Sequence, residues 1–154
     1  MELPTPPAPP SGIFQGPLHL FPVRVYYEDT DLSGMVYHAN YLRWFERARS
    51  DMLRLLGIDQ RAAAEAGEGT YTVAELTIRY HAPARLDDAV TIATQATEIR
   101  AASVRLRQRA TCDHELLAEA ELRVGFIGPD GRPRRQPAAW RRAFDTLQSA
   151  KAAA

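Results

Sequence analysis

The stretch "DTDLSGMVYHANY", residues 29 to 41, concentrates side chains that could do chemistry. Asp29 and Asp31 stand two apart, and Ser33, Gly34, His38 and Asn40 follow. Its first half reads like a calcium loop, which needs oxygen ligands at positions 1, 3 and 5, glycine at 6 and a bidentate glutamate at 12. Asp29, Asp31, Ser33 and Gly34 meet the first four requirements, but position 12 is Asn40 and a strand-like segment precedes the loop. A transition-metal site lacks a second histidine or cysteine at a usual ligand spacing. The same residues fit acyl transfer to water. A helix beginning at Asn40 would present free amides, a partially positive spot suited to a carbonyl oxygen that gains charge. Asp31, just upstream, is then a base or nucleophile. His38 lies between them and could donate a hydrogen bond or share a proton. Gly34 permits the tight approach or positive φ that such a loop needs. The plainer alternatives are a turn-forming aspartate at 31 and a helix-start histidine with a satisfied side chain at 38. Asp29 reads as a loop-capping residue whose closeness could raise the pKa of Asp31.

Elements around the stretch must hold these groups. Residues 1 to 17 read as a disordered tail, because Pro4, Pro6, Pro7, Pro9 and Pro10 remove donors and keep the chain extended. The ordered domain is expected over 18–150. Leu18 to Tyr27 alternates and reads as a strand, with Pro22 marking an edge or bulge. Asn40 is expected to N-cap a long helix whose apolar stripe includes Tyr41, Phe45, Ala48, Met52 and Leu55, and Gly57 to stop it. A short helix over 59–67 follows. Period-two alternation then predicts strands over 70–81, 89–100, 103–112 and 116–127. A last helix is expected from Pro137 to about Ser149. The order gives an α+β chain: a curled antiparallel five-stranded sheet wrapped around one long helix, the hotdog fold. The exposed edges of such a sheet favour dimerisation by sheet extension.

Composition narrows the function classes. The 154 residues carry 19 basic and 19 acidic side chains, so nothing in the net charge argues for nucleic acid. Cys112 is the single cysteine, which suits a reducing cytosol, and its catalytic use has no partnered histidine to support it. No apolar run of about 18 residues predicts a membrane span, and no signal-peptide pattern opens the chain.

"YYEDTDLSGMVYHANYLRWFERAR" (26–49) resembles the signature of the 4-hydroxybenzoyl-CoA thioesterase family of hotdog proteins. Its "YHANY…FERAR" form is similar to the bacterial acyl-CoA thioesterase branch encoded beside the Tol–Pal envelope genes, as is "IRYHAPARLDD" (78–88). The resemblance spans roughly residues 19–146. It implies a cytoplasmic hydrolase of acyl-CoA thioesters, with Asp31 as the catalytic carboxylate and Tyr27 and His38 at positions associated with activity. It also implies a backbone amide near His38 that polarises the thioester, a tetramer of hotdog dimers, and no metal or redox cofactor. Acyl carrier protein is an alternative carrier of the acyl group. Other hotdog thioesterases use a carboxylate on the long helix, for which Glu46 is the candidate here, although it could equally pair with a nearby arginine. The cluster Arg132, Arg134, Arg135, Arg141 and Arg142 could hold CoA phosphates or be a solvated face. Two other functions stay open: a scaffold that binds acyl thioesters without turnover, and a 3-hydroxyacyl thioester dehydratase.

Overall fold

Residues 1–153 are described by the computed structural model, with side chains as far as Gln148. The elements are β1 (Ile13–Gln15), β2 (Leu18–Arg24), α1 (Asn40–Leu55), α2 (Gln60–Glu65), β3 (Thr70–Tyr80), β4 (Ala89–Ile99), β5 (Ser103–Cys112), β6 (Glu115–Ile127) and α3 (Ala138–Ala153). One antiparallel sheet runs β1-β2-β4-β5-β6-β3 and curls around α1. This is the expected hotdog layout with six strands instead of five. The period-two pattern survives because one face is dry. Val90, Ile92, Thr94 and Ala96 of β4 point inward with Val104, Leu106, Gln108 and Ala110 of β5. Against them α1 buries Tyr41, Trp44, Phe45, Ala48 and Met52, which satisfies the apolar stripe. The β5–β6 hairpin turns on Asp113 and His114, both at positive φ, the backbone of a tight primed turn. Pro22 lies beyond the end of β1, where that side of β2 has no partner strand, so its missing N–H costs nothing. Among the described residues, no helix is long and apolar enough to cross a membrane.

The core contains one polar chain. Gln108 donates to the carbonyl of Phe45 and to Thr94 Oγ1, both at 2.9 Å, and accepts from Arg49 Nη1 at 2.9 Å. All three side chains are buried, so each unmade bond would cost a desolvation penalty. Together they register α1 against β4 and β5.

Two expectations need correction. The first concerns the tail. Residues 1–10 are exposed and carry no element, but Ile13–Gln15 pairs with Leu18–Leu20. The cause lies on α1. Asp51, buried, accepts from Ser11 Oγ at 2.7 Å, from the Gly12 amide at 2.8 Å, and pairs with His19 Nε2 at 2.7 Å. Gly12 is required by close approach, since a Cβ there would sit 2.2 Å from the carbonyl oxygen of Leu20. Side-chain contact with the folded body therefore begins at Ser11. The second concerns Asn40. Ala39 takes the N-cap place with no side-chain capping bond, and Asn40 is the first helical residue.

Burial holds the His19 imidazole below its ordinary pKa despite the neighbouring Asp51. Nδ1 is buried with no partner among the described residues, as fits a neutral ring that carries its proton on Nε2. A group whose folded pKa is depressed below 6.5 adds stability above that pH and loses it as pH falls. Thermal midpoints are thus expected to drop as pH falls below about 6.5, and a His19→Gln variant to lose most of that slope. Asp51→Ala leaves three donors unanswered and should cost about 3 kcal/mol in urea unfolding.

Candidate active site

Between β2 and α1 the chain makes a short 3-10 turn, Tyr27–Asp29, and then a tight loop. Asp29 is its anchor. One carboxylate oxygen accepts from Asn40 Nδ2 at 2.6 Å and the other from the Tyr26 amide at 2.8 Å. The Asp29 carbonyl also accepts from the Tyr37 amide at 2.8 Å. Asn40 is therefore spent on fixing the loop to the helix start, which explains why it does not cap. Both Asp29 oxygens are engaged inward, so the two aspartates do not converge as a calcium loop requires.

Asp31 faces solvent. Oδ1 accepts from the Ser33 amide at 2.8 Å and from the Ser33 hydroxyl. The loop closes through Gly34 N to Asp31 O and Asp31 N to Met35 O, each 3.0 Å. Gly34 sits at φ +78°, where a glycine is needed. The Ser33 hydroxyl and amide hold the Asp31 carboxyl below its usual value, with the charge of His38 adding a smaller lowering. The expected upward push from Asp29 is absent from these causes, because Asp29 turns the other way. Asp31 is thus a pre-aligned, ionised carboxylate.

His38 lies at the α1 start. Its carbonyl accepts from the Tyr80 hydroxyl at 2.7 Å, and its ring packs edge-on to Tyr37 at 4.5 Å. It helps line an open pocket of about 300 Å³ with Met35, Tyr41, Tyr80 and Pro83. The backbone hydrogen bonds of this segment pass from Tyr37 to Asn40 and leave out the amides of His38 and Ala39. These amides are positioned as donors at the helix end. Met35 of the loop and His38 at the helix start line this pocket, while Asp31 stands outside its lining. Tyr27 sits in the turn before the loop with its ring 83% exposed; its carbonyl accepts from the Thr30 amide and hydroxyl. Tyr41 and Tyr80 were missed as site residues. Tyr41 reads as core stripe and Tyr80 as a strand end, and only the fold brings their rings to 5.6 Å.

The other candidates fall elsewhere. Glu46 pairs with Arg49 one turn along α1. Arg134 donates to the carbonyls of Gly67 and Glu68, a structural role that removes it from a phosphate cluster. Cys112 ends β5, where burial pushes its thiol up. His81 pairs with Glu119 at 3.2 Å, and His114 forms the hairpin turn.

Comparison with known proteins identifies the family. Residues 25–148 match the Thioesterase-like superfamily. An Escherichia coli acyl-CoA thioester hydrolase, YbgC, is 45% identical over 113 residues, which are 73% of this chain and 84% of that protein. The Helicobacter pylori acyl-CoA thioesterase YbgC is 35% identical over 136 residues, 82% of this chain and 97% of the relative. The crystal structure of a probable thioesterase from Bartonella henselae superposes with a TM-score of 0.75 at 36% identity, covering 78% of this chain and 99% of that one.

Asp29→Ala strands the buried Asn40 amide and the part-buried Tyr26 N–H and is expected to cost about 2 kcal/mol in urea unfolding. Asp31→Asn, on an exposed group, should leave the midpoint unchanged. The match over residues 25–148 and the 45% identity to the Escherichia coli relative place this chain in the Thioesterase-like superfamily.

Proposed function

We propose that the chain is an acyl-CoA thioesterase, releasing a free acid and CoA. The observation that carries the reading is Asp31, an exposed carboxylate kept ionised by Ser33, beside the amide-rich start of α1. The relatives named as acyl-CoA thioester hydrolases support the substrate class. In this mechanism the thioester carbonyl rests against the His38 and Ala39 amides, which stabilise the developing oxyanion. Asp31 either takes a proton from water as that water attacks, or attacks the carbonyl carbon itself. The second route forms a mixed anhydride that water then opens. In both routes the C–S bond breaks and CoA leaves as thiolate, to be protonated by solvent. His38 orients the thioester or Asp31, and Tyr27 extends the rim of the site.

The assembly belongs to the same reading. Among the described residues β3 pairs only with β6 and presents its other edge unpaired along 11 residues, with Val73 and Tyr80 exposed. A second copy that adds its own β3 there would continue the sheet and cover this apolar edge. Two such dimers would give the tetramer. Thr77→Pro on that edge is expected to shift the oligomer toward monomer in sedimentation. The non-catalytic scaffold remains the second reading, with acyl carrier protein as the alternative carrier.

The test is thiol release from short, long and aromatic acyl-CoAs. Asp31→Asn should lower kcat by at least about a hundredfold with the fold intact. Equal turnover by both proteins moves the chemistry to another carboxylate, and no turnover by either favours the scaffold. The pH profile adds a check. Activity that needs the Asp31 carboxylate should persist down to below the ordinary 3.8 and fall beneath it. Ser33→Ala removes the hydroxyl bond and should move that acid limb upward.

A further inference from the structure

Tyr80 ends β3, and its ring stands in the wall of the pocket beside His38. Its hydroxyl donates to the His38 carbonyl at 2.7 Å, across 42 residues of chain. Two neighbours hold the ring. Tyr41, itself buried, packs edge-on at 5.6 Å, and the His38 imidazole lies edge-on at 6.2 Å. The strand end has its own fastening, because the His81 and Ala82 amides donate to the Leu117 carbonyl at 2.8 and 3.2 Å. The bond from Tyr80 therefore acts mainly on the helix start. Desolvation pushes the phenol above its ordinary value of 10, which keeps the proton on the hydroxyl.

The acceptor of this bond is one half of a peptide unit. The His38 carbonyl and the Ala39 N–H share a rigid trans plane and point in opposite directions. Ala39 is already helical, at φ −72° and ψ −19°, so its N–H points out of the start of α1. Among the described residues no backbone carbonyl takes that N–H. The Leu42 amide turns to the Ala39 carbonyl at 3.1 Å and leaves the His38 carbonyl to Tyr80. A peptide plane at a helix start lacks the bonds on both sides that fix one in mid-helix. Holding its oxygen fixes the direction of its N–H. A hydrogen bond to that oxygen also polarises the unit and makes the N–H a stronger donor.

We propose that Tyr80 is a positioning residue of the candidate site: through the His38–Ala39 peptide it aims and strengthens the Ala39 N–H at the thioester oxygen. The inference rests on the thioesterase reading for where that oxygen lies.

Tyr80→Phe keeps the half-exposed ring and removes only the bond, so folding does not obscure its result. In thiol release kcat is expected to fall about tenfold with KM within about twofold of the wild type, a smaller loss than deleting a direct oxyanion donor. A second readout watches the carbonyl itself. Butanoyl-CoA and benzoyl-CoA, isotopically labelled at the thioester carbonyl, are bound to Asp31→Asn, in which hydrolysis is slowed, and to Asp31→Asn/Tyr80→Phe. Infrared difference spectra of the full chain should show the carbonyl stretch lowered on binding to the first and nearer its free value in the second. A packing role alone would leave the two frequencies equal. Turnover with unchanged kcat in Tyr80→Phe, an equal stretch in both proteins, or no lowering on binding overturns the proposal. If the wild type turns over no acyl-CoA while the stretch still depends on Tyr80, the thioesterase reading falls and the role of Tyr80 stands. If the wild type turns over and the stretch ignores Tyr80, the proposal falls alone.

Discussion

The pairing of Asp29 with Asn40 is the constraint on which the candidate site depends. A carboxylate accepts from the side chain of the first helical residue and from the Tyr26 amide, and its carbonyl accepts from Tyr37. These bonds tie Asp29 to the first residue of α1, to Tyr37 just before that helix and to the Tyr26 end of the turn. Neighbouring contacts complete the frame, since the Val36 amide donates to Ala84 at 2.9 Å and Tyr80 reaches the His38 carbonyl. Within that frame Asp31 needs only Ser33 to set its direction. The buried aspartate holds the geometry, and the exposed one is the carboxylate we propose for the chemistry. Chemically alike and two residues apart, they part company because one side chain finds buried donors and the other does not.

The frame works only because α1 itself cannot slide. Phe45, Ala48 and Met52 fill the concave face of the sheet, and the Arg49–Gln108–Thr94 chain fixes the register with directional bonds. Burying polar groups here adds specificity that apolar packing alone does not supply. On the other side of the helix, Asp51 ties down Ser11, Gly12 and His19. One helix thus positions the loop, the sheet and the N-terminal strap. Residues 1–10 stay outside this system and outside the matched family region, which begins at residue 25.

Much of this was legible in the sequence, for physical reasons. The alternation in β4, β5 and β6 reports a sheet with one dry face, and the stripe from Tyr41 to Met52 reports a helix pressed against it. The loop was legible through Gly34, Asp31 and His38. Three features were not. β1 is three residues long and follows a proline run, and its support comes from Asp51, 40 residues away from Ser11. Asn40 has the chemistry of a cap, but a tertiary partner outcompeted the local amides for its side chain. Tyr80 joins the site from a different strand, and no local pattern marks it. Each miss is a long-range contact overriding a local preference.

The central claim is that the Asp29–Asn40 pair positions Asp31 for thioester hydrolysis. Steady-state kinetics of Asn40→Ala, at a temperature where the variant is folded, tests it most directly. The account expects kcat to fall about ten- to a hundredfold with little change in KM, because Asp31 keeps its chemistry but loses its placement. A variant that remains folded and turns over at the wild-type kcat would contradict it.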